Sequence, residues 1–161
     1  MIATTLEEKI QYLLDRTEIQ DLVSAYSNTV DAHDFEGWKK LFTEDGGYGS
    51  GDSRIPKENL AAAAEGLLAA YPNTHHFFGI PTITIKGDEA DVRCPGVTHH
   101  VKVIAHPSQS SIVGGWLCLK LRKVDGVWLI VDAYADTSWT EGGDYFAGAA
   151  EIVGQHLGDA K

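Results

Sequence analysis

At Pro72 the chain changes its periodicity, and that change limits the possible folds more than any other feature. Before it, Ile19, Leu22, Val23, Tyr26 and Val30 recur at three- and four-residue spacing, which predicts an amphipathic helix from Thr17 to about Asp31. Thr5-Leu-Glu-Glu8 has the form of a capping box, in which hydroxyl and carboxylate satisfy each other's free backbone donors, so a first helical stretch is expected through Leu14. Asp34 is placed to cap a short third helix whose Phe35, Trp38, Leu41 and Phe42 share a face. A glycine-rich turn follows, with a short strand expected around Tyr48, and Pro56 stands at the natural first position of an alanine-rich helix, KENLAAAAEGLLAAY.

After Pro72 the residues alternate or cluster as strands do. The runs His75–Ile85, Ala90–His106, Ser111–Lys123 and Val127–Asp136 are rich in β-branched and aromatic residues, and KGDE and VDG mark hairpin turns. DYFAGAAEIVGQHL predicts a last helix. Helices followed by four to six antiparallel strands make an α+β domain: a curved, cone-shaped sheet wrapped around the N-terminal helices to cover their apolar faces. With no repeat, low-complexity tail or linker, residues 1–161 are expected to form one domain. A cone closed by helices leaves a hollow, and such hollows commonly take ligands.

Charge removes several classes of partner. Thirteen Lys and Arg against 23 Asp and Glu give a net charge of −10, with no basic patch beyond WKK and LKLRK, so neither nucleic acid nor an anionic membrane surface is expected. The start lacks the basic and long apolar regions of a secretory signal, and no run approaches the roughly 20 apolar residues of a membrane span. A soluble, cytoplasmic protein is the expectation. There Cys94 and Cys118 would stay reduced, as small packing residues.

The chemistry to look for is a base inside the hollow. Tyr26 lies on the apolar face of its helix and Asp31 at its end, while one of His75/His76 and one of His99/His100 must point inward, because neighbouring strand residues face opposite ways. A carboxylate meeting an imidazole in an apolar cup forms a charge-assisted hydrogen bond and a workable general base. The residues also allow blander readings: Asp31 as a capping or loop aspartate, Tyr26 as a core tyrosine, His99 and His100 on a solvated face. His33, His106 and His156 read as loop or surface residues. Trp139, just past the last expected strand, could close the cup, though the four tryptophans suit core or interface roles better. Two inward histidines with Asp31 would also make a two-histidine, one-carboxylate metal set, but the usual short ligand spacing along one element is missing. No nucleophile elbow, phosphate loop or dinucleotide fingerprint is present, so neither metal nor cofactor is expected.

RTEIQDLVSAYSNTVDAHDFEGWKKLFTEDG, THHFFGIPTITIKGDEADVRC and LRKVDGVWLIVDA together resemble the SnoaL-like branch of the nuclear-transport-factor-2-like superfamily, over about residues 10 to 140. Within it the likeness is to scytalone dehydratase, bile-acid 7α-dehydratase and hexachlorocyclohexane dehydrochlorinase. The resemblance implies the same cone fold, with His76 as the catalytic histidine, Asp31 as its partner, Tyr26 as the tyrosine five residues before that aspartate, and His75 facing away. It further implies substrate contacts at Tyr48, Phe78 and one of His99 or His100. This sequence departs from the pattern at Val30, Gly115, Leu117 and Ala133, where the relatives place polar or charged groups, so neither a chloride-bearing nor a naphthol substrate is implied.

The expected function is therefore a cofactor-independent dehydratase or isomerase acting on a small apolar cyclic substrate of polyketide, steroid or terpenoid type. Two alternatives stay open: a non-catalytic ligand-binding or partner-docking module, and a polyketide cyclase. A homo-oligomer, dimer or trimer, formed through the sheet's outer face, is also implied by the resemblance.

Overall fold

The computed structural model describes residues 5–49, 53–102 and 110–142. A single 26-residue helix, α1 (Leu6–Asp31), takes the place of the two expected stretches. Its capping box is present: Glu8 N donates to Thr5 Oγ1 at 3.1 Å and Thr5 N to Glu8 Oε2 at 3.0 Å. The helix passes unbroken through Asp15-Arg16 because Asp15 is buried and partnered. It accepts from Lys123 Nζ and from Trp128 Nε1, the latter at 3.0 Å. Burial pushes the Asp15 carboxyl up, but these donors and Gln11 outweigh it, so its pKa is lowered. From Ile19 onward the predicted apolar stripe is buried. The first turns leave Leu6, Ile10, Leu13 and Leu14 exposed.

α1 ends in a Schellman cap. Asp34 N donates to Thr29 O at 2.9 Å and His33 N to Val30 O at 3.0 Å, with His33 in the left-handed region at φ 55°. Asp34 then caps α2 (Phe35–Lys39) by accepting from Gly37 N at 2.9 Å. This tight sequence of stop and start fixes where Asp31 sits.

β1 (Phe42–Tyr48) and the two-residue β2 (Ile55–Pro56) lead through a 3-10 turn (Lys57–Asn59) into α3 (Leu60–Leu68). Pro56 thus closes a strand, and the alanine-rich helix begins four residues later than expected. The remaining strands are β3 (Asn73–Phe78), β4 (Thr82–Lys86), β5 (Glu89–Val101), β6 (Ser110–Val124) and β7 (Val127–Gly142). The expected run His75–Ile85 is two strands, split at Gly79-Ile80-Pro81. Both hairpin turns carry positive φ where required: Gly87 at 65°, then Asp125 and Gly126 at 50° and 83°, the pattern of a type I′ turn. The predicted C-terminal helix lies outside the described residues.

The seven strands form one sheet in the order β2-β1-β7-β6-β5-β3, with β4 also paired to β5. It is mixed rather than antiparallel, because β1 runs parallel to β7. On β6, Leu117, Leu119 and Leu121 face the helices and are at most 4% exposed, while Lys120 faces out. Ile19, Phe42 and Ile130 are fully buried where α1, β1 and β7 meet. Truncating Phe42 to alanine there would cost about 3–5 kcal/mol in lost contacts and cavity. Trp38 joins this cluster, its ring 5.6 Å from Tyr26, 5.1 Å from Phe42 and 6.1 Å from Tyr48. Among the described residues no helix is long and apolar enough to cross a membrane.

Candidate active site

A cavity of about 560 Å³ lies between the inner face of the sheet and helices α1 to α3. Helix α3 supplies an apolar wall through Leu60, Ala63 and Leu68; α1 supplies Tyr26 and Val30; α2 supplies Trp38. The pleat of β3 decides which histidine enters. Thr74, His76 and Phe78 share one face, and His76 lines the cavity while the His75 side chain is 77% exposed.

Asp31, at the last turn of α1, meets β3 from behind the His76 ring. Its Oδ1 lies 2.6 Å from His76 Nδ1 and accepts from Thr74 Oγ1 at 2.9 Å, and its Oδ2 accepts the His76 backbone N–H at 2.8 Å. Burial alone would raise the Asp31 carboxyl. The ring of His76, its backbone N–H, its charge and the Thr74 hydroxyl together hold it below the ordinary carboxylate value. Asp31 is thus ionised at neutral pH and accepts only, so Nδ1 carries the ring proton and the lone pair of a neutral imidazole falls on Nε2. Thr74 was not foreseen, although its place two residues before His76 on the same strand face is a readable signal.

The register resolves the other histidine pair. His76 pairs with Thr98, Thr74 with His100 and His75 with His99, so His100 faces inward and His99 outward. His100 is 2% exposed, with its ring 5.5 Å from His76 at 88° and 5.5 Å from Tyr71 at 67°. Its pKa is lowered to about 4 by burial first and by the charge of His76 second, partly offset by Asp31 and by a hydrogen bond with the Ser111 backbone. His100 is therefore neutral near pH 7.

Tyr26 is 5% exposed and lines the cavity, packed edge-on against Trp38 and Phe78. Tyr48 lines it from β1, and burial raises its pKa, so it stays a phenol able to donate. Phe78 packs against Gly96, where a Cβ would come within 2.5 Å of its ring. Trp139 is not among the lining residues. β7 runs on past Asp136, and its ring covers Gly114 on the outer face of the sheet. A register irregularity between Gly114 and Gly115 skips Ser138 and reverses the parity that would have turned Trp139 inward.

Neither cysteine enters this site. Cys94 is buried, its pKa pushed up to about 11 by burial, with Sγ 3.1 Å from Gly79 O; Cys118 is a second buried free thiol. Among the described residues no three His, Cys, Asp or Glu side chains are grouped to hold a metal ion. Such a set at Asp31 would also require His76 Nδ1 to give up its contact with the carboxylate.

The SnoaL-like domain family matches residues 11–134, which covers the helices, the cavity and most of the sheet. The chain belongs to the SnoaL-like family. Solved structures with the same fold include a Novosphingobium aromaticivorans protein provisionally described as a scytalone dehydratase, with TM-score 0.75, 22% identity, and coverage of 84% of this chain and 92% of that one. A type 2 hexachlorocyclohexane dehydrochlorinase, LinA, superposes with TM-score 0.73 at 18% identity, covering 84% of this chain and 93% of its own. A third, also from Novosphingobium aromaticivorans, is described as NTF2-like with a cystatin-like fold; it is 26% identical with TM-score 0.62, over 91% of this chain and 94% of that chain. No curated protein matches this SnoaL-like chain.

Proposed function

We propose that this SnoaL-like protein is a cofactor-independent lyase or isomerase that removes a proton from carbon next to a carbonyl, in a small, largely apolar cyclic substrate. The observation that carries this reading is the 2.6 Å contact between Asp31 Oδ1 and His76 Nδ1 at the wall of a largely apolar cavity. His76 Nε2 takes the proton, and the C–H electron pair moves into an enolate. Asp31 stabilises the imidazolium that forms, as an ionised partner does for a general base. Tyr26 and Tyr48, both phenols in the cavity wall, would donate to the enolate oxygen or to a departing hydroxyl. Dehydration follows when the neighbouring C–O bond breaks and the hydroxyl leaves as water with the proton returned from the imidazolium. Isomerisation follows when that proton returns to a different carbon. Both balance without an oxidant or a second substrate.

The family names of the structural relatives favour elimination chemistry, since one is described as a dehydratase and another as a dehydrochlorinase. The base can be tested before the natural substrate is known. Nitrobenzisoxazole opens when a base removes its ring C–H, with the N–O bond breaking to a coloured cyanophenolate. The wild type should turn it over, and His76→Ala should lose at least about a hundredfold of that rate. Binding of the probe without turnover would favour a ligand carrier. Equal turnover by His76→Ala would remove His76 from the role.

A further inference from the structure

The hydrogen-bonding sense of β3 sets a second polar side chain beside His76. His76 donates its backbone N–H to Asp31 Oδ2, so that N–H points away from β5, the strand with which it is paired. In an antiparallel ladder such a residue belongs to a non-hydrogen-bonded pair, the kind in which Cα atoms approach to about 4.5 Å and side chains are closest. Its partner in that pair is Thr98. Both side chains face the cavity.

The imidazole adds a direction. Nδ1 is held toward Asp31, outside β3, so Nε2 on the far side of the ring is turned toward β5 and the space in front of Thr98. The hydroxyls of Thr29, Thr43 and Thr74 are each engaged with a neighbour. Thr98 makes no side-chain hydrogen bond among the described residues. A part-buried hydroxyl without a partner, next to the lone pair of a base, is placed to meet a ligand oxygen.

We propose that Thr98 is a specificity-determining residue, whose hydroxyl holds the oxygen on the carbon adjacent to the one that His76 deprotonates. The inference rests on the proton-abstraction reading above and narrows its substrate. No Lys or Arg is among the described lining residues, and burying an anion without a cation is costly, so the oxygen held is that of a neutral carbonyl or hydroxyl compound rather than a carboxylate or phosphate. A threonine hydroxyl suits both, since it donates to a carbonyl and accepts from a hydroxyl.

Binding separates this proposal from the fate of the base. Naphthol and naphthalene differ by one hydroxyl, and Thr98→Val differs from the wild type by another, so their dissociation constants close a double-mutant cycle. Wild type should bind naphthol more tightly than naphthalene. Thr98→Val should lose about five- to tenfold in naphthol affinity and little for naphthalene, and Thr98→Ser should retain the preference. Equal losses for both ligands, no loss for either, or no naphthol binding to the wild type would overturn the proposal. A failure of the base instead shows itself with nitrobenzisoxazole, which leaves the binding cycle untouched.

Discussion

Asp31 holds His76 twice, by the ring at 2.6 Å and by the backbone N–H at 2.8 Å. The carboxylate that orients the imidazole is therefore also tied to the strand that carries it. Rotation of the ring and displacement of β3 are resisted by the same group, a degree of preorganisation that a side-chain contact alone would not give.

Asp31→Asn should keep much of this geometry and lose the charge. An amide can still accept the backbone N–H but does not stabilise an imidazolium, so nitrobenzisoxazole turnover should fall by about a hundredfold or more. The melting temperature at pH 7 should fall modestly, because the stability carried by the ionised carboxylate is lost. Steady-state rates beside a thermal scan check both halves of this expectation.

His100 should make stability depend on mild acid. Its pKa is lowered from 6.5 to about 4 on folding, so between those values the unfolded chain binds the proton more readily and stability falls as pH drops. The loss should approach about 3 kcal/mol by pH 4, with no contribution from this group above pH 7. Urea unfolding at a series of pH values measures it, and His100→Phe should flatten the slope in that window. Asp31 acts in the same direction lower down: its lowered pKa gives stability that is present above 3.8 and lost as pH falls through the folded value.

Asp15→Ala should be the costliest polar substitution in α1. It leaves Lys123 Nζ and Trp128 Nε1 without their shared acceptor at a 7% exposed position, for about 3 kcal/mol of destabilisation. A chevron or equilibrium denaturation curve would register it as a lower midpoint with unchanged slope.

His33→Gly should stabilise the chain. A non-glycine residue at φ 55° pays a steric cost that glycine avoids in this cap position, so a gain of about 1 kcal/mol is expected, less whatever the His33–Phe35 ring contact at 5.3 Å contributes. Equilibrium unfolding is again the measurement.

What could be read in the sequence divides along the range of the forces involved. The capping box at Thr5, the Asp34 cap and the two hairpin turns are local, and each was legible from a few neighbouring residues. The continuity of α1 was not: Asp15-Arg16 reads as a polar break until Lys123 and Trp128, more than a hundred residues away, bury it. The parallel pairing of β1 with β7 is likewise a long-range event with no local signature. At the site, the alternation rule reduced each histidine pair to a choice of one; the resemblance pointed to His76, whereas His100 needed the register of β5 on β3. Trp139 was expected just past the last strand, where it could close the cup; β7 instead runs on to Gly142, and a skipped residue turns the Trp139 ring to the outer face. The Thr98 position became visible only once the direction of one backbone N–H was known.

β3 is the terminal strand of its sheet, and the donor of His76 that would otherwise face outward from it is occupied by Asp31. Unfilled strand borders invite other chains to extend them, which is the usual beginning of aggregation. The aspartate thus covers one donor of this border as well as holding the His76 ring. Variants at position 31 that lose both contacts with His76 should scatter more light in concentrated solution than the wild type.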